Sequence, residues 1–275
     1  MGILALQYQT VPDIPILLAL NREEDPERVT LSPRIQSGRP RAVYGVDRKT
    51  GGTWAGINQH GLFVAAINAP KRHLPLEPRS RGLLTKELLG CQTAEEALEL
   101  GEKELQRGCY CGVNFMCVDR TSGGAVYGGD DVGVDRLTPG LHILSDHKMD
   151  DREDGRQEYV RRLMTLQRID SSVAFLALAS KTFSRRPDPY GRRGIILSEP
   201  DLATVSSMLV ALATKNQRSV MQYAPGPPDK KGYEDFSALL RQVLSTDRGA
   251  SGAKSKQKTK EKPKEDELDE DTDLE

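Results

Sequence analysis

The sequence predicts an α+β fold in which helices pack on antiparallel β-sheets, and two observations support this class. Strand-like apolar runs come first, helical patterns fill the middle, and strand-like runs return before the charged C-terminal stretch. This order is typical of helices layered on an antiparallel sheet or sandwich, whereas a doubly wound parallel sheet would alternate strands with helices. In addition, the chain has no glycine-rich phosphate-binding loop. We expect one domain over residues 1–246, which is long enough to bury a sizeable core.

Strands predominate in the first quarter of the chain. Apolar runs at 3–8 and 16–20, separated by a Val-Pro-Asp-Ile-Pro turn, predict two strands with a connecting loop. Segment 25–41 is rich in Pro, Arg and Ser and predicts a loop. Further strands are predicted at 43–46, 53–57 and 62–67, the last two as a hairpin.

Helical spacing begins near residue 80. Leu84 and Leu88 lie four residues apart before Gly90, and Thr93 followed by two glutamates is a favourable helix start. The predicted helices cover residues 80–89, 93–107, 153–168, 171–180 and 234–244. The predicted strands of this part cover residues 110–118, 124–128, 141–144, 193–197, 203–213 and 219–223.

The charge of the chain is concentrated at its C-terminal end. Residues 254–264 contain six Lys and one Glu, and residues 265–275 contain eight acidic residues and no base. We interpret 247–275 as a disordered, solvated tail. Without that stretch the formal net charge changes from −1 to +2, so the charge balance does not indicate nucleic-acid binding. No apolar run is long enough for a transmembrane span, and a cytoplasmic protein is expected.

The cysteine pattern does not indicate a metal site. The chain has four cysteines, at Cys91, Cys109, Cys111 and Cys117. The spacing of Cys109 and Cys111 is too tight for a zinc knuckle, and no paired-His motif follows. We interpret the four as reduced core thiols of a cytosolic protein. The acidic segment 146–151, which contains His147, matches no metal motif, so we predict neither a metal nor a cofactor.

Three segments carry a resemblance to a known family. Residues 18–24 are Leu-Ala-Leu-Asn-Arg-Glu-Glu, and residues 51–58 are Gly-Gly-Thr-Trp-Ala-Gly-Ile-Asn, followed by Gly-Leu-Phe-Val-Ala-Ala-Ile-Asn at 61–68. Residues 137–146 are Leu-Thr-Pro-Gly-Leu-His-Ile-Leu-Ser-Asp. Weaker support comes from residues 80–84, 112–115 and 204–207. Together these segments resemble, in the same order, the NRDE family, which is also called the transport and Golgi organisation 2 family.

This resemblance implies a four-layer αββα sandwich with antiparallel sheets, of the N-terminal-nucleophile hydrolase type. In such enzymes the initiator Met is removed, and in the relatives most similar to this pattern residue 2 is a cysteine. Its thiol attacks an amide carbonyl, its own α-amine acts as the base, and amide donors from nearby loops hold the oxyanion. The animal relatives have been linked to haem handling and to acyl-lipid metabolism.

Two positions depart from the hydrolase pattern that the resemblance implies. Residue 2 is Gly2, which offers an α-amine but no nucleophile. Asn68 resembles the asparagine that donates to the oxyanion in related choloylglycine-type hydrolases. Asp146 stands where those hydrolases usually have Asn, and a carboxylate would repel the developing negative charge. Both changes argue against amide hydrolysis.

Other residues of the resembling segments are candidates for ligand binding. Asn21 and Arg22 are expected to lie beside position 2, where Arg22 would bind a ligand carboxylate, with Glu24 pairing with it or with the α-amine of Gly2. The alternative is a surface charge cluster at the end of a strand. Trp54 either lines a pocket or fills the core.

The sequence therefore predicts a non-hydrolytic protein that binds a small acyl-bearing or haem-like ligand in a remnant active-site pocket. The first alternative is an amide hydrolase acting on non-peptide C–N bonds. This would require a native cysteine at position 2 or a different nucleophile. The second alternative is an interaction protein that works through its charged tail.

Overall fold

The computed structural model describes residues 2–187 and 194–245, and within them the chain forms two antiparallel sheets. The first sheet has six strands. From edge to edge they are β10 (Gly140–Leu144), β1 (Gly2–Val11), β2 (Ile14–Glu24), β11 (Ala203–Leu212), β12 (Val220–Ala224) and β13 (Glu234–Asp235).

The second sheet is a seven-stranded meander, so each strand pairs with the next one in the chain. Most of its strands are joined by short connections, and the exception is segment 69–112, between the fourth and fifth strands, which contains two helices. Its strands are β3 (Thr30–Gln36), β4 (Ala42–Asp47), β5 (Ala55–Asn58), β6 (Phe63–Asn68), β7 (Val113–Val118), β8 (Gly123–Gly128) and β9 (Val132–Arg136).

Helices cover the outer face of each sheet. Helices α1 (Arg81–Leu88) and α2 (Ala94–Gln106) contact the second sheet, and α3 (Gly155–Met164) and α4 (Ser172–Phe183) contact the first. Each of the four begins where a side-chain oxygen accepts a hydrogen bond from a first-turn amide, as favourable N-caps do. The capping residues are Ser80, Thr93, Asp154 and Ser171.

The alternation of side chains along β1 builds the layers. Leu4 and Leu6 face the second sheet, and Ile3 and Ala5 face α3 and α4. All four are fully buried, because the strand is covered on both faces and therefore reads as a continuous apolar run. The layers are thus helix, sheet, sheet and helix, and the predicted α+β sandwich with antiparallel sheets is confirmed.

A fifth helix, α5 (Ser237–Leu244), differs from the others in its position. Its residues Leu240, Val243 and Leu244 belong to the apolar cluster between the two sheets. The helix contacts β12 of the first sheet and β3, β4 and β5 of the second, so it links the two. None of the helices in the described ranges is long and apolar enough to cross a membrane.

Two predicted elements are wrong. The loop predicted at 25–41 contains β3, which pairs with β4 at the edge of the second sheet. Its Pro33 lies where the register shifts, and an edge strand tolerates a proline because no partner needs its missing N–H. The strand predicted at 193–197 lies partly outside the described residues, and 194–197 is not a strand. Its buried Ile195 and Ile196 instead donate their amides to the carbonyl of Arg185.

Candidate ligand-binding site

A cavity of about 260 Å³ lies where several chain segments end near one another. Its walls come from the end of β2, the β4–β5 connection, the end of β6 and the segment that leads into α1. Three residues predicted for the site, Arg22, Glu24 and Asn68, line this cavity together with Trp54. The fold therefore brings these four predicted residues to one place.

Position 2 lies next to this cavity. Gly2 pairs with Arg22 across β1 and β2, and directly opposed residues of two strands point to the same face. A Cβ on Gly2 would lie 3.5 Å from the Ile67 side chain and 3.0 Å from the Asn21 carbonyl oxygen. A side chain at this position would thus face the space between the sheets, beside Arg22.

Arg22 is a buried charged residue of the cavity wall, and no carboxylate lies within hydrogen-bond distance of it among the described residues. Its side chain is 7% exposed, and its guanidinium carbon lies 4.6 Å from the centre of the Trp54 ring, a cation–π arrangement. Nη2 approaches Glu24 at 3.6 Å, whereas Nη1 has no hydrogen-bond partner among the described residues. Burial lowers the pKa of Arg22, and the nearby Glu24 and Asp47 carboxylates oppose that change.

Alternating charges continue along the wall from Arg22. Glu24 also approaches Arg28 at 3.6 Å, and Arg28 binds Asp47 through Nε at 2.7 Å. The Arg28 guanidinium holds the pKa of Asp47 below its usual value, although burial acts in the opposite direction. Arg28 thus interacts with both Glu24 and Asp47. Because Glu24 is shared between Arg28 and Arg22, it does not fully neutralise the charge of Arg22.

Arg81 is a second cation of the cavity without an acid beside it. Its Nη1 donates to the Gly112 carbonyl oxygen at 2.9 Å, and no described carboxylate lies within ion-pair distance. Burial lowers the pKa of this guanidinium, and the Cys111 thiol and Glu24 act in the opposite direction. A desolvated cation of this kind favours an anionic partner.

Close backbone contacts hold Arg81 in place. Thr53 donates its amide to the Gly82 carbonyl at 3.0 Å, and a Cβ on Gly52 would lie 2.4 Å from the Gly82 carbonyl carbon. A Cβ on Gly112 would lie 2.1 Å from the Ala69 carbonyl oxygen. Only glycine fits at positions 52 and 112. The close approach at Gly52 explains the second glycine of the Gly-Gly-Thr-Trp segment in the cavity wall.

Asn21 lies on the other face of its strand. Its side chain is fully buried and its Nδ2 donates to the Phe183 carbonyl oxygen of α4 at 3.0 Å. It is absent from the cavity wall, so the ligand-binding role predicted for it gains no support from the geometry. The neighbouring Glu23 is also buried and pairs with Arg156, whose Nη1 lies 3.0 Å from Glu23 Oε2.

Asp146 does not lie in the cavity wall. The pairing of β1 with β10 ends at Leu4 and Leu144, so Asp146 lies in the turn two residues beyond the last paired residue of β10. The buried Asn114 holds this turn, because its Nδ2 donates to the carbonyls of Ser145 at 3.0 Å and His147 at 2.9 Å. Strand pairing therefore does not place Asp146 against Gly2, and the role predicted for Asp146 gains no support from the geometry.

Several residues of the cavity wall were not predicted from the sequence. Arg28, Asp47 and Cys111 line the cavity, and none of them stands in a motif that singled it out as a site residue. Cys111 was expected to be a core thiol, whereas it is partly exposed and lies in the wall. Among the described residues, no group of three His, Cys, Asp or Glu side chains is arranged to hold a metal ion.

Comparison with solved structures defines the class of fold. A Caenorhabditis elegans N-acylethanolamine-hydrolyzing acid amidase ortholog matches with a TM-score of 0.52 at 12% identity, covering 88% of this chain and 98% of that one. A variant of conjugated bile acid hydrolase from Clostridium perfringens matches with a TM-score of 0.52 at 12% identity, covering 86% and 93%. The chain therefore has the sandwich of the N-terminal-nucleophile hydrolases.

The sequence comparison defines the family. Residues 1–219 match the family described as Transport and Golgi organisation 2, and the chain belongs to it. No curated protein matched the chain in a direct sequence search. The resemblance of the Asn-Arg-Glu-Glu and Gly-Gly-Thr-Trp segments to this family is thus confirmed.

Proposed function

We propose that this protein binds the anionic end of a small acyl-bearing ligand in the cavity beside Gly2, without hydrolysing it. The observation that carries the proposal is the pair Arg22 and Arg81. Both guanidinium groups are desolvated, both line one cavity, and neither has a hydrogen-bonded carboxylate among the described residues. An anionic ligand would supply the missing partner and would recover part of the desolvation cost.

The size of the cavity favours a head group over a complete ligand. Pockets that enclose drug-sized molecules are roughly 300–1,000 Å³, and this cavity is about 260 Å³. A carboxylate or phosphate would fit between the two arginines while an apolar chain extended toward the mouth. A haem-like ligand would be held in the same way through a carboxylate, and it remains the second ligand class to test.

The residues at positions 2 and 146 support a non-hydrolytic role. Gly2 has no side chain to act as a nucleophile, and Asp146, where related hydrolases usually have Asn, has a carboxylate that would repel an oxyanion. Glu24 is engaged by two arginines, so it is poorly placed to act as a free general base.

Calorimetric titration with decanoate and with the uncharged decan-1-ol tests the proposal. We expect decanoate to bind and decan-1-ol to bind weakly or not at all. Arg81→Met should weaken decanoate binding by about tenfold or more, because a hydrogen bond to a charged group contributes roughly 1.5–3 kcal/mol. Arg72→Met is the matched control, since Arg72 is 80% exposed, pairs with Asp130 and lies outside the cavity wall.

Equal binding of decanoate and decan-1-ol, or equal losses in the two arginine variants, would contradict the proposal. A parallel titration with haemin, followed by absorbance, tests the second ligand class. Tight haemin binding that is lost in Arg81→Met, with no decanoate binding, would replace the acyl-bearing ligand by the haem-like one.

Amide hydrolysis is the alternative function, and one geometric observation favours it. The three atoms nearest to a Cβ at position 2 belong to Asn21, at 3.0 Å, and Ile67, at 3.5 Å and beyond, so a cysteine needs only a small shift there. The matching solved structures are described as amide- or conjugate-hydrolysing enzymes. A chromogenic amide assay on the unchanged protein, on Gly2→Cys and on Gly2→Cys combined with Asp146→Asn separates the two functions. Turnover by the unchanged protein would rule out the non-hydrolytic proposal.

A further inference from the structure

One of the four cysteines lies in the wall of the ligand cavity. Cys111 is partly exposed and precedes β7, in the same wall as Arg22, Asn68 and Arg81. The others are absent from this wall: Cys117 is fully buried among apolar side chains, and Cys91 and Cys109 lie elsewhere. Burial raises the pKa of both Cys117 and Cys91, as expected for inert thiols.

Arg81 is a cation of the cavity wall that lies beside the segment containing Cys111. Its side chain donates to the carbonyl oxygen of Gly112, the residue that follows Cys111, which keeps the guanidinium beside this part of the chain. The two groups are close enough for the thiol to influence the Arg81 pKa, although burial of Arg81 is the larger effect. Reactive cysteines typically occupy partly exposed, electropositive surroundings such as this one.

A second, independent feature of the same wall points to a ligand. Arg22 is 7% exposed, and its Nη1 has no hydrogen-bond partner among the described residues. An unsatisfied buried donor is costly, so it favours an acceptor oxygen supplied from outside the chain. Asn68 offers a further side-chain amide in the same cavity. A carbonyl oxygen held by these donors would be polarised towards attack.

We propose that Cys111 is an acyl acceptor, which takes the acyl group of a thioester ligand bound in the cavity. The proposal rests on ligand binding in this cavity and adds a covalent step to it. Gly2 leaves the usual nucleophile position without a side chain, and Cys111 brings a thiol to the neighbouring wall.

The step is a thiol–thioester exchange. The sulfur of Cys111 attacks the thioester carbonyl, a new carbon–sulfur bond forms, and the carbon–sulfur bond to the leaving group breaks. The departing sulfur takes that electron pair together with the proton that Cys111 lost, and it leaves as a free thiol. No oxidant, reductant or other co-reactant takes part.

The chemistry of the leaving group favours a thioester over an amide. An amine must be protonated before it can leave. Among the described residues, the acids that line the cavity are held by arginines: Glu24, Asp47 and Glu23 all have such partners. A thiolate leaves without prior protonation, so the cavity needs no general acid for this exchange.

Incubation with S-octanoylglutathione, an anionic thioester, tests the proposal by intact mass and peptide mapping. We expect one octanoyl group on the peptide that contains Cys111, released by hydroxylamine as a thioester is. Cys111→Ser should abolish the adduct. Cys109→Ser is the matched control, since Cys109 is two residues away, is also partly exposed, interacts with Arg79 and does not itself line the cavity.

Arg81→Met provides a readout of ligand binding that a bystander thiol would not show. It should slow octanoylation about tenfold or more, because Arg81 would hold the anionic thioester in the cavity and the loss of one charge-assisted contact has an effect of that order. Circular dichroism of each variant confirms that it is folded.

The outcomes distinguish this inference from the ligand-binding proposal. Octanoylation of Cys109 as fast as Cys111, or an adduct that survives in Cys111→Ser, would overturn the acyl-acceptor role even if decanoate binds. If decanoate does not bind but Cys111 is octanoylated selectively, the acyl-acceptor role stands and the anion-binding proposal fails.

Discussion

At the scale of single residues, the site depends on glycines that let backbone segments meet. Gly112 accepts hydrogen bonds at its carbonyl from Arg81 Nη1 and from the amide of Ala69 at 3.1 Å. The same close approach leaves no room for a side chain, since a Cβ would lie 2.1 Å from the Ala69 carbonyl oxygen. One residue thus positions a binding cation and joins two segments of the chain.

Gly112→Ala should destabilise the protein and weaken its site. We expect a loss of about 1–3 kcal/mol in the free energy of unfolding, as for other overpacked positions, together with weaker decanoate binding because Arg81 loses its support. Urea unfolding and calorimetry measure the two effects. Gly133→Ala is the control, since a Cβ there meets nothing within 4 Å. Equal stability of the two variants would show that the contact is not restrictive.

Alternation along a strand separates two residues that one motif names together. Asn21 and Arg22 are neighbours in the Asn-Arg-Glu-Glu segment, yet Asn21 binds α4 and Arg22 lines the cavity. Successive side chains of a strand point to opposite faces. The motif was therefore sufficient to find the site, but it did not tell which of its members faces the ligand.

At the scale of elements, an ionic cluster joins β10 to α3. His142 of β10 is largely buried, with Nδ1 2.7 Å from Asp150 Oδ2 and Nε2 2.7 Å from the Thr138 carbonyl oxygen. Asp150 in turn binds Arg161 of α3. Both ring nitrogens of His142 face acceptors, so the doubly protonated imidazolium satisfies both contacts.

The stability of the protein should therefore fall as the pH rises above neutrality. Burial opposes the shift, but the contacts with Asp150 and Thr138 raise the pKa of His142 above its ordinary value. A group with a raised folded-state pKa contributes stability that is complete below its unfolded value, about 6.5. That contribution is lost as the pH rises through the folded-state pKa, and Arg161 is the nearby cation that opposes the charge.

Urea unfolding at about pH 5.5 and about pH 8.5 measures this change, because the interval spans the usual histidine range. His142→Phe should be less stable at the lower pH and should show a smaller decline between the two values. His60→Gln, which alters an exposed histidine, serves as the control. An unchanged decline in His142→Phe would assign the pH dependence to other groups.

At the scale of the whole molecule, the core between the two sheets holds the site in place. Leu18 of β2 lies in the centre of the first sheet, opposite Leu6 of β1 and Val210 of β11. It is fully buried in the cluster that also contains Trp54, the residue that Arg22 covers. Packing of the two sheets is thus continuous with the wall of the cavity.

Leu18→Ala should cost about 2–5 kcal/mol of unfolding free energy, the usual range for a buried leucine. Urea unfolding measures the loss, and Leu166→Ala is the control because Leu166 is 66% exposed. A loss below about 1 kcal/mol would mean that the core closes around the missing side chain, since the cost depends on how far a site can collapse.

Most strands and helices followed from local patterns, and the exceptions have tertiary causes. The edge strand β3 was hidden by its proline, which only an edge position tolerates. The apolar segment 194–197 covers the core without forming a strand, because the amides of Ile195 and Ile196 both donate to the carbonyl oxygen of Arg185. An apolar pattern in the sequence predicts that a segment is buried. Whether that segment forms a β-strand depends on which other segment the fold places next to it.

The sequence alone determined the α+β class, the family of the chain and the departure at Gly2, because these depend on local patterns and on motif order along the chain. It also named Arg22, Glu24, Asn68 and Trp54, which the fold brings to one cavity. Only the tertiary structure placed Cys111 and Arg81 in the same wall and turned Asn21 away from it. Residues distant in the chain become neighbours through sheet pairing and packing, and no local pattern records that proximity.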